Sequence, residues 1–269
     1  MLFAINYSPQ AADLFANGMI QVDRFKCPDW PGMIDEASRY CPVAVHFELK
    51  AGGGHLYKTD WKRIHQLLEQ TGTPYVNLHL GPTLKDFPGM PVDTPEPDQF
   101  EKVVEKLLKD IRIAVNECGA DKVIVENVPY RGQGGKALRP AVETAVIRRL
   151  VEETGCGFLM DISHARIAAH HLGIDERIYM AELPVKRLRE LHFTGLHNLD
   201  DRLHDHLEIL DADWPPLDWV LERIRSGQWA RPWLLAFEYG GVGEKFAWRS
   251  DSKIIADQAP KLYKRVSAV

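Results

Sequence analysis

The chain has 269 residues, 45% hydrophobic and 26% charged, with a formal net charge of −5. This is ordinary globular composition, and the length suits either one α/β barrel of roughly 250 residues or two small domains. The acidic balance argues against the bulk positive field of a general nucleic-acid binder, and no stretch approaches the ~18 consecutive apolar residues of a membrane span.

The opening MLFAINYSPQAADLF carries no cationic segment before a long apolar run, so no secretory signal is expected. Eight short, mostly apolar runs read as buried strands: 2–7, 20–26, 43–49, 75–80, 122–128, 157–162, 187–193 and 233–239. Helical patterns lie between them, at 60–71, 98–118 and 139–154. In 98–118, Phe100, Val103, Val104, Leu107, Leu108, Ile111 and Val115 recur at three-and-four spacing, and Gly119 follows as a stop. Gly155 ends the 139–154 pattern in the same way. Strand–helix alternation of this kind predicts a parallel sheet. Closed on itself, the sheet makes a single (β/α)₈ TIM barrel over residues 1–269. An open doubly wound sheet is the alternative, weakened because no Gly-x-Gly-x-x-Gly follows the first strand. The run Gly52-Gly53-Gly54 is no phosphate cradle, since neither Lys-Ser nor Lys-Thr follows it. Residues 82–97 and 196–216 are expected to be the longest loops. Cys27, Cys41, Cys118 and Cys156 are scattered and form no Cys-x-x-Cys pair, as in a reduced cytoplasmic protein.

Polar residues recur at one end of those strands. His46, His79, Glu126, Asp161, His192 and Glu238 stand near the C-terminal ends of six consecutive predicted strands. That is the face on which barrel enzymes build active sites. One such residue would mean little, because a lone strand histidine is usually a satisfied core residue. Several together are different: clustered buried carboxylates repel and cost several kcal/mol each to desolvate unless neutralised, and a metal removes that cost. His164, in the first turn after Asp161, points back toward the same mouth. His204-Asp205-His206 adds three candidate ligands in the loop after His192. This many candidates exceeds the needs of one ion and suggests two or three. Imidazole and carboxylate without thiolate suit iron, zinc or manganese. His197, five residues after His192, is a candidate proton-transfer group, and Glu126 and Glu238 are candidates for catalytic carboxylates as well as ligands.

The order Glu126, Asp161 with His164, His192, Glu238 resembles the xylose isomerase-like barrels, which include endonuclease IV. His46 and His79 look like the two extra histidines of their trinuclear members. The stretches LMDISHARIAAHHLGID and LPVKRLRELHFTGLH are similar to segments of the multinuclear non-haem iron oxidative enzymes, the family that includes the methanobactin-maturation enzyme. The likeness runs over roughly residues 40–240 and is dense in 155–210. Two departures stand out. The family's Asp-x-His appears here as His204-Asp205-His206, so either His204 or Asp205 takes the Asp place. The opening AINYSP also differs from a glycine-rich start.

The resemblance implies an oxidative enzyme with two or three metal ions, iron in first place. Dioxygen would be the oxidant, and a substrate thiolate, often a cysteine in a peptide or small molecule, would bind one iron directly. A partner protein could deliver such a peptide. The main alternative is a sugar isomerase or epimerase in which Glu126, Asp161, His192 and Glu238 hold one divalent ion. A zinc phosphodiester hydrolase is a third reading, against which the acidic balance counts.

Overall fold

The structure, a computed structural model, describes residues 1–269. Its strands are β1 (Leu2–Asn6), β2 (Arg24–Pro28), β3 (Val43–His46), β4 (Leu49–Ala51), β5 (Val76–Leu80), β6 (Val123–Glu126), β7 (Gly157–Asp161), β8 (Leu188–Phe193), β9 (Gly195–Leu199), β10 (Arg202–Leu207) and β11 (Leu234–Phe237). Packing gathers the chain into two compact units. One comprises Met1–His46, Glu69–Thr73 and Glu190–Val269; the other comprises Phe47–Leu68 and Pro74–Arg189. No helix is long and apolar enough to cross a membrane.

In the first unit the ladder order is β3-β2-β1-β11-β8, every pair parallel. Register partners in a sheet point to the same face, and that face recurs every second residue. Ala4 aligns with Ala236, Ala236 with His192, and Lys26 with Ala44. Ala4, Ala44, Leu234 and Ala236 form a small buried cluster. The methyl groups of Ala4, Ala44 and Ala236 leave room on the same face for the longer side chains of Lys26, Glu190 and His192, all buried.

In the second unit the order is β7-β6-β5-β4, again all parallel. The helix Pro97–Cys118 covers it with Val103, Val104, Leu107, Leu108, Ile111 and Ala114 buried, as its periodicity predicts, and Gly119 caps it at φ 87°. Asp110 is buried on that apolar face because its Oδ2 accepts from the Gly52 and Gly54 backbone N–H groups, both at 2.8 Å. These two bonds hold the glycine run in place. Gly52, at φ +96°, lies so close to Pro82 that a Cβ would come within 2.8 Å of it.

Several expectations are corrected. The strand expected at 20–26 runs from Arg24 to Pro28, because the Asp23 carboxylate accepts the Phe3 N–H at 2.7 Å and ends the irregular approach. The strand expected at 43–49 is two strands. At Phe47 the Asn77 side chain replaces the ladder, Oδ1 accepting from Phe47 N at 2.7 Å and Nδ2 donating to Phe47 O at 3.1 Å. Parallel ladders therefore hold nine strands rather than eight. The pattern at 139–154 opens as a 3₁₀ turn, Arg139–Val142, and becomes α-helical at Thr144–Thr154. The loop expected at 196–216 contains the antiparallel hairpin β9–β10. Asp200 and Asp201 form its two-residue turn at φ 51° and 59°, the left-handed pair that matches strand twist in such turns.

Candidate metal centre

Histidines and carboxylates stand at strand ends in both units. In the second unit, Glu126 is the last residue of β6 and Asp161 the last of β7, 1% and 2% exposed. Buried Asn127 locks these ends together. Its Nδ2 donates to Asp161 O and its Oδ1 accepts from Asp161 N, both at 2.9 Å. Asp161 also caps the helix Ile162–Leu172, its Oδ1 accepting from His164 N at 2.7 Å. That cap turns the chain so that His164, in the first turn, faces back over Asp161 and Glu126.

The histidines are oriented by backbone carbonyls. His164 Nδ1 lies 3.0 Å from Asn127 O and His79 Nδ1 lies 3.1 Å from Leu49 O. A carbonyl accepts only, so the His79 Nδ1 carries the proton and its Nε2 keeps the lone pair, the arrangement typical of metal-binding imidazoles, while the His164 Nδ1 also faces Asp161 Oδ2 at 3.5 Å and Glu126 Oε1 at 3.9 Å. His79 Nε2 then faces Glu126 Oε2 at 3.3 Å. A lone pair opposite a carboxylate oxygen repels unless a cation, a proton or a metal, lies between them. Donor atoms of Glu126, Asp161 and His164 all fall within 4.8 Å of one another. Two buried carboxylates and an oriented imidazole at that spacing fit a divalent or trivalent ion.

In the first unit, His46 ends β3 and its ring lies 5.2 Å from that of His192. His192 Nδ1 is 3.0 Å from Glu238 Oε1, and His206 Nδ1 is 3.8 Å from Glu238 Oε2. His206 reaches Glu238 through a break in the hairpin. The register shifts between His204 and Leu207, and His206 has φ 60°. Left-handed backbone in a residue other than glycine is strained, and such strain collects at functional sites. Asp205 is half-buried beside it, while His204 is exposed at the hairpin position opposite His197. His197 Nε2 donates to Glu208 O at 2.9 Å. Charges on Asp205 and Glu238 act on Arg249, whose burial lowers its pKa.

Behind His192 lies an arrangement that the strand-end pattern missed. His192 Nε2 is 2.9 Å from Glu190 Oε1, and Lys26 Nζ bonds the same oxygen. Trp233 Nε1 donates to Glu190 Oε2 at 3.1 Å. Burial by itself would raise the Glu190 pKa, but the Lys26 ammonium and the bond from His192 outweigh it and hold the carboxyl below the ordinary range. A carboxylate accepting from Nε2 leaves Nδ1 as the lone pair directed at Glu238. The signal was present in RLRELHF: Glu190 is two residues before His192, hence on the same face. Lys26 and Asn127 carry no comparable mark in the sequence, because each is defined by what folds against it.

The chain's resemblances come from different depths. Residues 27–226 match a family described as RiPP precursor modification enzyme MbnB/TglH/ChrH. A UPF0276 protein of Bordetella pertussis is 33% identical over 76 residues, 28% of this chain and 26% of that protein. A UPF0276 protein of Rhizorhabdus wittichii is 24% identical over 188 residues, 67% of this chain and 63% of that one. The chain thus spans about a quarter of the length of the first curated relatives it matches. Among solved structures, D-psicose 3-epimerase from Clostridium cellulolyticum H10 is similar at a TM-score of 0.61 and 12% identity, covering 100% of this chain and 99% of that one. A xylose isomerase-like TIM barrel/4-hydroxyphenylpyruvate dioxygenase fusion protein is similar at 0.57 and 14%, covering 96% of this chain and 41% of that one. At such identities the likeness speaks for an α/β fold resembling the TIM-barrel epimerases and for nothing about substrate.

Proposed function

The chain belongs to the RiPP precursor modification enzyme family MbnB/TglH/ChrH, and from that premise we propose that it is a metal-dependent oxidative enzyme acting on a thiol-bearing peptide or small molecule. The observation that carries the reading is the buried Glu126–Asp161–His164 donor set, with His79 turned onto Glu126, in a chain of that family. Two or three ions fit the number of donors, iron in first place and zinc or manganese as alternatives. The metal ligands in this reading are His46, His79, Glu126, Asp161, His164, His192, Asp205, His206 and Glu238. The exposure of His204 favours Asp205 for the Asp place.

Bound iron would supply the redox chemistry and an open position for dioxygen or a thiolate. The chain's own residues prepare the ground. The Leu49 carbonyl keeps His79 in the binding tautomer, the Asn127 carbonyl orients the His164 ring, and Glu190 fixes the tautomer of His192. His197, held through Nε2 by the Glu208 carbonyl, keeps Nδ1 as a proton acceptor. A partner protein that presents the peptide, in a cytoplasmic setting, belongs to this reading.

The test is metal content per chain, by elemental analysis of protein purified anaerobically from iron-supplemented cells, with an electron paramagnetic resonance spectrum beside it. Two or three irons and a coupled mixed-valent signal are expected, with activity lost on replacement by zinc. A single manganese, magnesium or zinc per chain, or full activity with zinc, overturns the oxidative reading and puts the isomerase in its place.

A further inference from the structure

The second unit contains a cavity of about 770 Å³ whose lining includes His79 and His164 together with Lys50, Arg131, Lys136 and Glu48. Thus the imidazoles assigned to metal share one cavity with three permanent cations and one carboxylate. A chain of net charge −5 therefore concentrates positive charge at this point, and a low-dielectric cleft focuses such a field.

The local fold holds these cations at the cavity. Lys50 is the register partner of His79 across β4 and β5, so both side chains leave the same face. The Lys50 stem lies over Gly81, where a Cβ would meet its Cδ at 3.8 Å. Arg131 and Lys136 belong to the loop after β6, which folds back on itself: Gly135 N donates to Gly132 O at 2.9 Å. A Cβ at Gly135 would meet the Arg131 Cβ at 3.1 Å. An isolated bridge between Thr83 and Ala137, with Leu138 N donating to Pro82 O at 3.2 Å, ties this loop to the one after β5. Two loops joined in this way form a wall of the cavity that His79 and His164 also line, and Arg131 is half-buried in it.

We propose that this wall is a carboxylate-binding subsite: Arg131, with Lys50 and Lys136, holds a carboxylate of the substrate while the reacting group lies at the His79–His164 end. The assignment rests on the thiol reading above for its substrate class, because the anionic group that a cysteine or a peptide carries besides its thiolate is a carboxylate. A planar guanidinium matches a carboxylate's two oxygens, and two flexible ammonium groups add charge without demanding one geometry. Glu48 on the same cavity offsets part of the positive charge and repels added anions, so a single negative charge suits the wall better than several.

The experiment uses the metal-loaded full chain and two probes that differ only in charge, N-acetylcysteine and N-acetylcysteine amide. Binding is followed by calorimetry and by the thiolate-to-metal absorption band. N-acetylcysteine is expected to bind about tenfold more tightly than the amide, the scale of a charge-assisted hydrogen bond. In the Lys50→Met/Arg131→Met/Lys136→Met variant the two probes converge, with the affinity for the amide unchanged and the melting curve retained. Equal affinities in the unmutated chain overturn the subsite and leave the thiol reading standing. If no thiolate band appears but N-acetylalanine still binds more tightly than its amide, and the triple variant abolishes that difference, the thiol reading fails and the subsite stands. Absence of any carboxylate-dependent binding overturns the subsite. A tetrapeptide ending in a free cysteine carboxylate, compared with one carrying an internal cysteine beside aspartate and an amidated end, tells a chain terminus from a side chain as the source.

Discussion

Lys26 and Glu190 form a buried pair of opposite charges, and their surroundings make them consequential. The pair occupies space left by alanines, and Glu190 also accepts from His192 and Trp233. Removing one partner strands the other. Glu190→Gln is therefore expected to cost about 3–5 kcal/mol in chemical denaturation, and the double variant Lys26→Met/Glu190→Gln noticeably less; equal losses in both would contradict the pairing. The pH dependence has a definite sign. The folded Glu190 carboxyl is held below its unfolded value of about 4.3, so its stabilising effect is full above that value and is lost as pH falls through the folded one. Urea midpoints between pH 7 and pH 3 should fall more steeply for the unmutated chain than for Glu190→Gln. Cys27 offers a separate test. Burial pushes its thiol up to about 12, and all four cysteines are free. Iodoacetamide at pH 8 should leave Cys27 unlabelled in the native chain and label it in urea; native labelling at the rate of a surface thiol would refute that burial.

At the scale of elements, the ends of β6 and β7 are joined by one side chain. Asn127→Ala removes both bonds to the Asp161 backbone and leaves a buried N–H without its partner. A loss of about 1–3 kcal/mol is expected, together with reduced metal content, since Asp161 and the His164 carbonyl contact are displaced together. Retention of full metal content would show that Asn127 serves stability alone. The hairpin β9–β10 makes the opposite prediction. Asp201 stands at φ 59°, where glycine is free of side-chain strain. Asp201→Gly should raise the stability measured by thermal melting, by up to about 1 kcal/mol, and Asp201→Pro should abolish the hairpin. Elements with a strong period were legible in advance. The helix Pro97–Cys118 was plain from its apolar stripe, whereas the hairpin, made of RLHDHL with alternating charges and no apolar face, read as a loop.

For the whole molecule, metal and folding are linked. An ion that binds the native chain and not the unfolded one adds about 2.7 kcal/mol when its free concentration is a hundred times the dissociation constant. For a chain of this size that corresponds to about 5–10 °C. Chelation should lower the melting temperature by this amount, re-addition of iron should restore it, and Glu126→Gln should reduce the effect. A melting curve indifferent to chelator would argue against any bound ion. The family match and the structural likeness bear on different questions: the first on the kind of enzyme, the second on the fold alone.

The sequence by itself determined the α/β alternation, the main amphipathic helices and the set of histidines and carboxylates at strand ends, because period and residue type are local properties. His79, Glu126, Asp161 and His164 could be named from their places after apolar runs, as could His46, His192 and Glu238. Tertiary structure alone decided the rest. It decided that Asn77 splits one expected strand at Phe47, that Asn127 binds the Asp161 backbone, that a bulge at His206 carries that ring to Glu238, and that Lys26 meets Glu190. Each of these depends on a polar group finding a partner far away in the chain, and the strength of such a contact is set by burial and distance, which no local pattern of residues encodes.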